Sequence, residues 1–128
     1  MNAVALVTLA AVIQVMAFQW RVGKARNEFG VPGPATSGPE TWQRYNRVHL
    51  NTVENLVIFF PLLWLCAWFA DPRLAAAAGL GFVAARALYS RRYVADPNTR
   101  GPAVWLTGFC CHVLLLATVA GIVFHAVR

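Results

Sequence analysis

The sequence predicts an all-α integral membrane protein, a four-helix bundle forming one domain over residues 1–128. Three observations carry that expectation. Of the 128 residues, 59% are hydrophobic and only 12% charged, whereas a soluble domain is about 45–50% apolar and about 25% charged. So short a chain cannot hide that much apolar surface in its own core, so lipid must cover the remainder. The apolar residues also come in runs of membrane-crossing length, separated by connections rich in proline, glycine and arginine. Finally, the net charge of +6 sits beside those connections, as positive-inside charge does.

The first span is expected over residues 3–20, long enough for about one crossing. It lacks a basic leader and a clear cleavage site, so an uncleaved helix is expected. Residues 27–42, NEFGVPGPATSGPETW, break regular helix with their prolines and glycines. The second span is expected over residues 44–70, with Pro61 inside it as a possible kink. Asp71 is placed to cap the third helix and Pro72 to occupy its first position. The third span is expected over 74–93 and the fourth over 102–127. The start of the last helix has two readings, because Asp96-Pro97 looks like a helix start that Pro102 would interrupt early.

Arginine and lysine orient the bundle. Arg21, Lys24, Arg26, Arg44 and Arg47 flank the first connection, and Arg86, Arg91, Arg92 and Arg100 the third. The other side holds Arg73 and Arg128. Connections 21–43 and 94–101 are therefore expected in the cytoplasm and both termini outside it. These charges form neither a basic tail nor a continuous stripe, which argues against nucleic acid as a partner. Cys66, Cys110 and Cys111 lie in apolar runs without metal-ligand spacing and are read as small buried residues. No metal is expected. His112 and His125 are read as structural, Trp42, Trp64, Trp68 and Trp105 as interfacial or lipid-facing, and Gly79 and Gly81 as sites of close helix packing.

One stretch does not fit a plain membrane helix. RVHLNTVENLVIFFP, residues 47–61, places arginine, histidine, asparagine and glutamate at the head of a greasy segment. At about 100° per residue from Arg47, Asn51 falls at about 40°, Glu54 at about 340° and Asn55 at about 80°. His49, at about 200°, points the opposite way. On the third helix, Arg86, Tyr89 and Tyr93 likewise share a face. Ionisable groups within a membrane usually face inward and mark a site. Ion pairing among Arg47, Glu54 and Arg86 would tie helices together, but leaves an excess of cations. Arg26, Arg47, Arg86 and Arg100 against the one acid Glu54 suit a ligand with two carboxylates and one ammonium. Glutathione has that charge inventory, and a thiol that ionises more readily beside a cation.

The motifs Arg47-x-His49-x-Asn51-x-x-Glu54 and Arg86-x-x-Tyr89-x-x-x-Tyr93, with Arg100 further on, resemble the MAPEG superfamily. These are the membrane-associated proteins of eicosanoid and glutathione metabolism, and the likeness is to the microsomal glutathione transferase and leukotriene C4 synthase branches. The resemblance implies a homotrimer with glutathione between subunits near the cytoplasmic surface. It implies glutathione binding by Arg47, Asn51, Glu54, Asn55, Arg86, Tyr89 and Tyr93, with Arg26 and His49 reaching in from the neighbouring subunit. Arg100 matches the arginine that stabilises the glutathione thiolate for attack on a lipophilic electrophile from the bilayer, or on a lipid hydroperoxide. Asn27 and Asn55 depart from leukotriene C4 synthase and favour a general transferase or peroxidase. Two other classes stay open here: a non-catalytic lipid- or glutathione-binding member, and a small four-span drug exporter coupled through Glu54. The alanine- and arginine-rich composition points to a bacterial inner membrane.

Overall fold

The computed structural model describes residues 1–127; Arg128, counted above in the charge balance, lies outside the described residues. Four long helices follow in order: α1 (Asn2–Glu28), α2 (Glu40–Phe69), α3 (Pro72–Ala95) and α4 (Gly101–Val127), with a 3-10 turn at Pro97–Arg100 before α4. Helices α2 and α3 form the central pair, and each packs against both α1 and α4.

Side chains from all four helices meet in the main core. Val4, Val7 and Ala11 of α1 pack with Phe59 and Leu63 of α2, Phe82 of α3 and Leu114 of α4. Phe59 and Phe82 stack face to face at 3.8 Å, an apolar tie between the central helices. Gly79 makes this approach possible, since a Cβ there would lie 2.6 Å from Val7 Cγ1 and 3.0 Å from Leu63 Cδ1. Cys66 and Cys110 are buried in the same core and Cys111 is half-buried; all three are free thiols.

The helices run beyond the apolar segments. α1 continues through RVGKARNE to Glu28, aided by good helix formers and a Lys24–Glu28 pair at 3.7 Å. It ends before Gly30, whose φ of 63° suits a residue without a Cβ. Arg26 then organises the turn, its Nη1 donating to the carbonyls of Val31, Pro32 and Ala35 while the guanidinium lies 4.8 Å from the Trp42 ring. Trp42 is thus fully buried rather than interfacial, because the folded-back connection covers it. Trp64, Trp68 and Trp105 are exposed. At the start of α2, Glu40 pairs with Arg44. Arg44 Nη1 donates to the Val94 and Ala95 carbonyls at 3.0 and 3.2 Å, capping the end of α3. Helix α2 passes through Pro61 unbroken.

Asp71 caps α3, accepting from the backbone N–H groups of Arg73 (2.6 Å) and Leu74 (2.9 Å), with Pro72 in the first turn. Those bonds, to Leu74 foremost, hold its carboxyl below the ordinary range. Both readings of the last helix start contain part of the outcome. Asp96 caps the 3-10 turn through the Asn98 N–H, and Pro102 falls in the first turn of α4, where no N–H is needed.

Helices α1 and α2 and the stretch Pro97–Val127 are long and apolar enough to cross a membrane. Helix α3 is not among them: its apolar part is largely alanine and glycine, and Arg86, Arg91 and Arg92 interrupt it. Leu9, Ile13, Val57 and Leu116 point outward from the apolar helices.

Candidate functional site

A spacing of four places Arg47, Asn51 and Asn55 on one face of α2, and spacings of three and four do the same for Arg86, Tyr89 and Tyr93 on α3. The 3-10 turn delivers Arg100, and the first turns of α4 add Val104, Thr107 and Gly108. These residues line one cleft of about 500 Å³ between α2, α3 and α4.

Arg86 is its fixed point, with 1% of its surface exposed. Its Nη2 donates to Asn51 Oδ1 and Thr52 Oγ1, both at 2.9 Å, and its Nε to Thr52 Oγ1 at 3.3 Å. The guanidinium carbon lies 4.2 Å from the centre of the Tyr89 ring, a favourable cation–π contact. Tyr89 stacks on Tyr93 at 5.3 Å, and the Arg100 guanidinium lies 5.7 Å from Tyr93. An aromatic ladder therefore joins the buried cation to the exposed one. Asn55 donates to the Asn51 carbonyl at 2.7 Å, and Asn51 Nδ2 donates to Glu54 Oε2 at 3.5 Å.

Charge in the cleft is unbalanced. The ion pairs among the described residues are Lys24–Glu28, Arg44–Glu40 and Arg47–Glu54, and none involves Arg86 or Arg100. Asp71 and Asp96 serve as helix caps elsewhere. Arg86 bonds only neutral oxygens, which leaves its charge available to an anion. A buried cation lacking a counter-charge costs several kcal/mol, a cost that an anionic ligand would offset. The Arg47–Glu54 contact is 3.5 Å between side chains half exposed to solvent. Such a pair is worth about 0–1 kcal/mol, so each partner can turn to a ligand cheaply. It lies within α2, so it does not tie helices together; Arg86 performs that task through hydrogen bonds.

Of the residues singled out in the sequence, the cleft gathers Arg47, Asn51, Asn55, Arg86, Tyr89, Tyr93 and Arg100. Glu54 stands at its edge through Arg47 and Asn51. His49 does not line it, and Arg26 braces the connection after α1. Sequence reasoning missed Thr52, whose hydroxyl donates to the Val48 carbonyl at 2.7 Å while its lone pairs receive Arg86. It also missed the α4 wall. A second groove of about 510 Å³, lined by Val104, Trp105, Gly108, Phe109 and His112, adjoins the cleft through the shared Val104 and Gly108. His112 Nδ1 lies 2.8 Å from the Gly108 carbonyl. The one wall is cationic and the next is greasy.

Known proteins share this chain's sequence over most of its length. An uncharacterised protein of Synechocystis sp. is 34% identical over 121 residues, covering 94% of this chain and 88% of that protein. Microsomal glutathione S-transferase 2 of Mus musculus is 33% identical over 105 residues, 82% of this chain and 68% of the relative. Leukotriene C4 synthase of Mus musculus is 30% identical over 121 residues, 94% and 81%. The MAPEG family model matches residues 4–121. With its four helices, its apolar surface and this match, the chain belongs to the MAPEG family of membrane proteins.

Proposed function

We propose that the protein is a membrane-embedded glutathione transferase that ionises the glutathione thiol and directs it at lipophilic electrophiles. The observation that carries this is the convergence of Arg47, Arg86 and Arg100 on one cleft with no acidic residue in its lining. The arginines receive the two carboxylates, Glu54 at the rim takes the ammonium, and Asn51 and Asn55 hold the peptide amides. Arg100, exposed at the mouth, lies next to the sulfur and lowers the thiol pKa. The electrophile enters from the bilayer along the apolar groove of α4. The same thiolate reduces a lipid hydroperoxide to its alcohol, and a second glutathione attacks the oxidised sulfur to give glutathione disulfide with release of water. The relatives' names, glutathione S-transferase and leukotriene C4 synthase, support this substrate class.

The working form is a homotrimer. Arg26 and His49, turned away from the cleft of their own chain, then serve the neighbour's. All four helices cross the bilayer as spans 3–20, 44–70, 74–93 and 102–127, α3 being shielded from lipid by its partners. The connections 21–43 and 94–101 face the cytoplasm, and both termini lie outside it. The host membrane is a bacterial inner membrane, in keeping with the Synechocystis relative.

Titration calorimetry of glutathione into the detergent-purified protein tests the site. Arg47→Ala and Glu54→Ala are expected to weaken binding by about 1.5–3 kcal/mol, the worth of a hydrogen bond to a charged group. Arg100→Ala is expected to spare affinity and abolish turnover. Equal affinity in all three variants would sink the assignment.

A further inference from the structure

A second basic groove lies on the far side of α3 from the cleft. Its wide end, about 510 Å³, runs between α1 and α3 and is lined by Trp20, Arg21, Lys24, Ser90 and Arg91, with one acid, Glu28, against these three cations. Its narrow end, about 290 Å³, lies between Ala17, Phe18 and Ala87 and shares Arg21, Ser90 and Arg91 with the wide one. The two form one channel, cationic at the arginine-rich end of the bundle and apolar toward its middle. Ala17 to Lys24 covers about 10 Å of helix, the scale of a headgroup with the first part of its acyl chain.

The polar end has spare charge. Lys24 is engaged by Glu28 at 3.7 Å and lies 5.8 Å from the Trp20 ring. Arg21 and Arg91 make no ion pair among the described residues, and both are exposed. Trp20, 68% exposed beside them, is the residue type that settles at headgroup depth. We infer that this channel binds one anionic phospholipid of the leaflet at the basic end, its phosphate between Arg21 and Arg91 and an acyl chain along Ala17, Phe18 and Ala87. Charge and apolar length complement such a lipid together. A free phosphate would use only the first, and a neutral lipid only the second. The channel shares no residue with the glutathione cleft, so the inference stands independently of the proposed activity.

Native mass spectrometry tests it on full-length protein released from nanodiscs of phosphatidylglycerol mixed with phosphatidylcholine. The wild type is expected to keep phosphatidylglycerol in preference to phosphatidylcholine. Arg21→Gln/Arg91→Gln is expected to lose that preference about thirtyfold, given about fivefold per basic residue at a membrane surface. Glutathione affinity, measured alongside, should be unchanged in the variant. Equal retention of the two lipids by the wild type would overturn the inference, as would an unchanged preference in the variant. Displacement of the lipid by millimolar inorganic phosphate would assign the site to the free ion instead. A variant that changes oligomeric state, with no lipid retained by the wild type, would give the channel to a second copy of the chain.

Discussion

Arg86 is a guanidinium with 1% of its surface exposed, held by Asn51 Oδ1, the Tyr89 ring and, through two of its three hydrogen bonds, the hydroxyl of Thr52. Thr52→Val keeps the shape and removes the acceptor, leaving Nε unsatisfied and Nη2 with Asn51 Oδ1 alone. Calorimetry is expected to show glutathione binding weakened by about 1–3 kcal/mol, the cost of an unsatisfied buried donor, and Thr52→Ser is expected to restore it. Unchanged affinity in Thr52→Val would remove Thr52 from the supporting shell. The arginines, asparagines and tyrosines of the cleft were legible in the sequence because polar groups inside an apolar helix are costly and call for a reason. Thr52 was not, since a helical threonine commonly bonds its own preceding turn, and nothing in the sequence marks a second role. Gly108 and Val104 were equally silent. An apolar wall has no signature distinct from lipid-facing residues.

Helix boundaries and helix contacts follow from local chemistry, and one of each can be probed. The Asp71 cap is favoured as a carboxylate by the Leu74 and Arg73 N–H groups, which depress its pKa. A depressed folded pKa gives stability that is present above the unfolded value, about 3.9, and lost as pH falls through the lower folded value. Asp71→Ala is therefore expected to lower Tm at pH 7, with the difference shrinking as pH falls below the unfolded value. A difference independent of pH would contradict the cap. Gly79→Leu would drive atoms into Val7 and Leu63, and overpacking of this kind costs about 1–3 kcal/mol; thermal unfolding reads it directly. Asp71-Pro72 was readable because capping is encoded by adjacent residues. The length of α1 was not, because hydrophobic runs report where lipid ends and helix can continue into water on residues such as Arg21 to Glu28. Trp42 was misplaced for a related reason: its cover comes from Arg26 across a connection whose folding no periodicity reveals.

At the scale of the whole molecule, outward-facing leucine, isoleucine and tryptophan make a lone chain in water untenable. Light scattering corrected for detergent is expected to return three copies of the 14.1 kDa chain. A monomer that still turns over glutathione would contradict the shared site. Mixing subunits is the sharper form: Arg26→Ala and Arg100→Ala chains, each inactive alone, are expected to recover part of the activity when co-assembled. Assembly was beyond periodicity and composition, because a face turned to lipid and one turned to a second subunit are both apolar. The central claim is that the cleft activates a thiol, and ultraviolet difference absorbance on adding glutathione at neutral pH tests it most directly. A thiolate band in the wild type that vanishes in Arg100→Ala is the expected result. Glutathione bound with no band in either protein would contradict it.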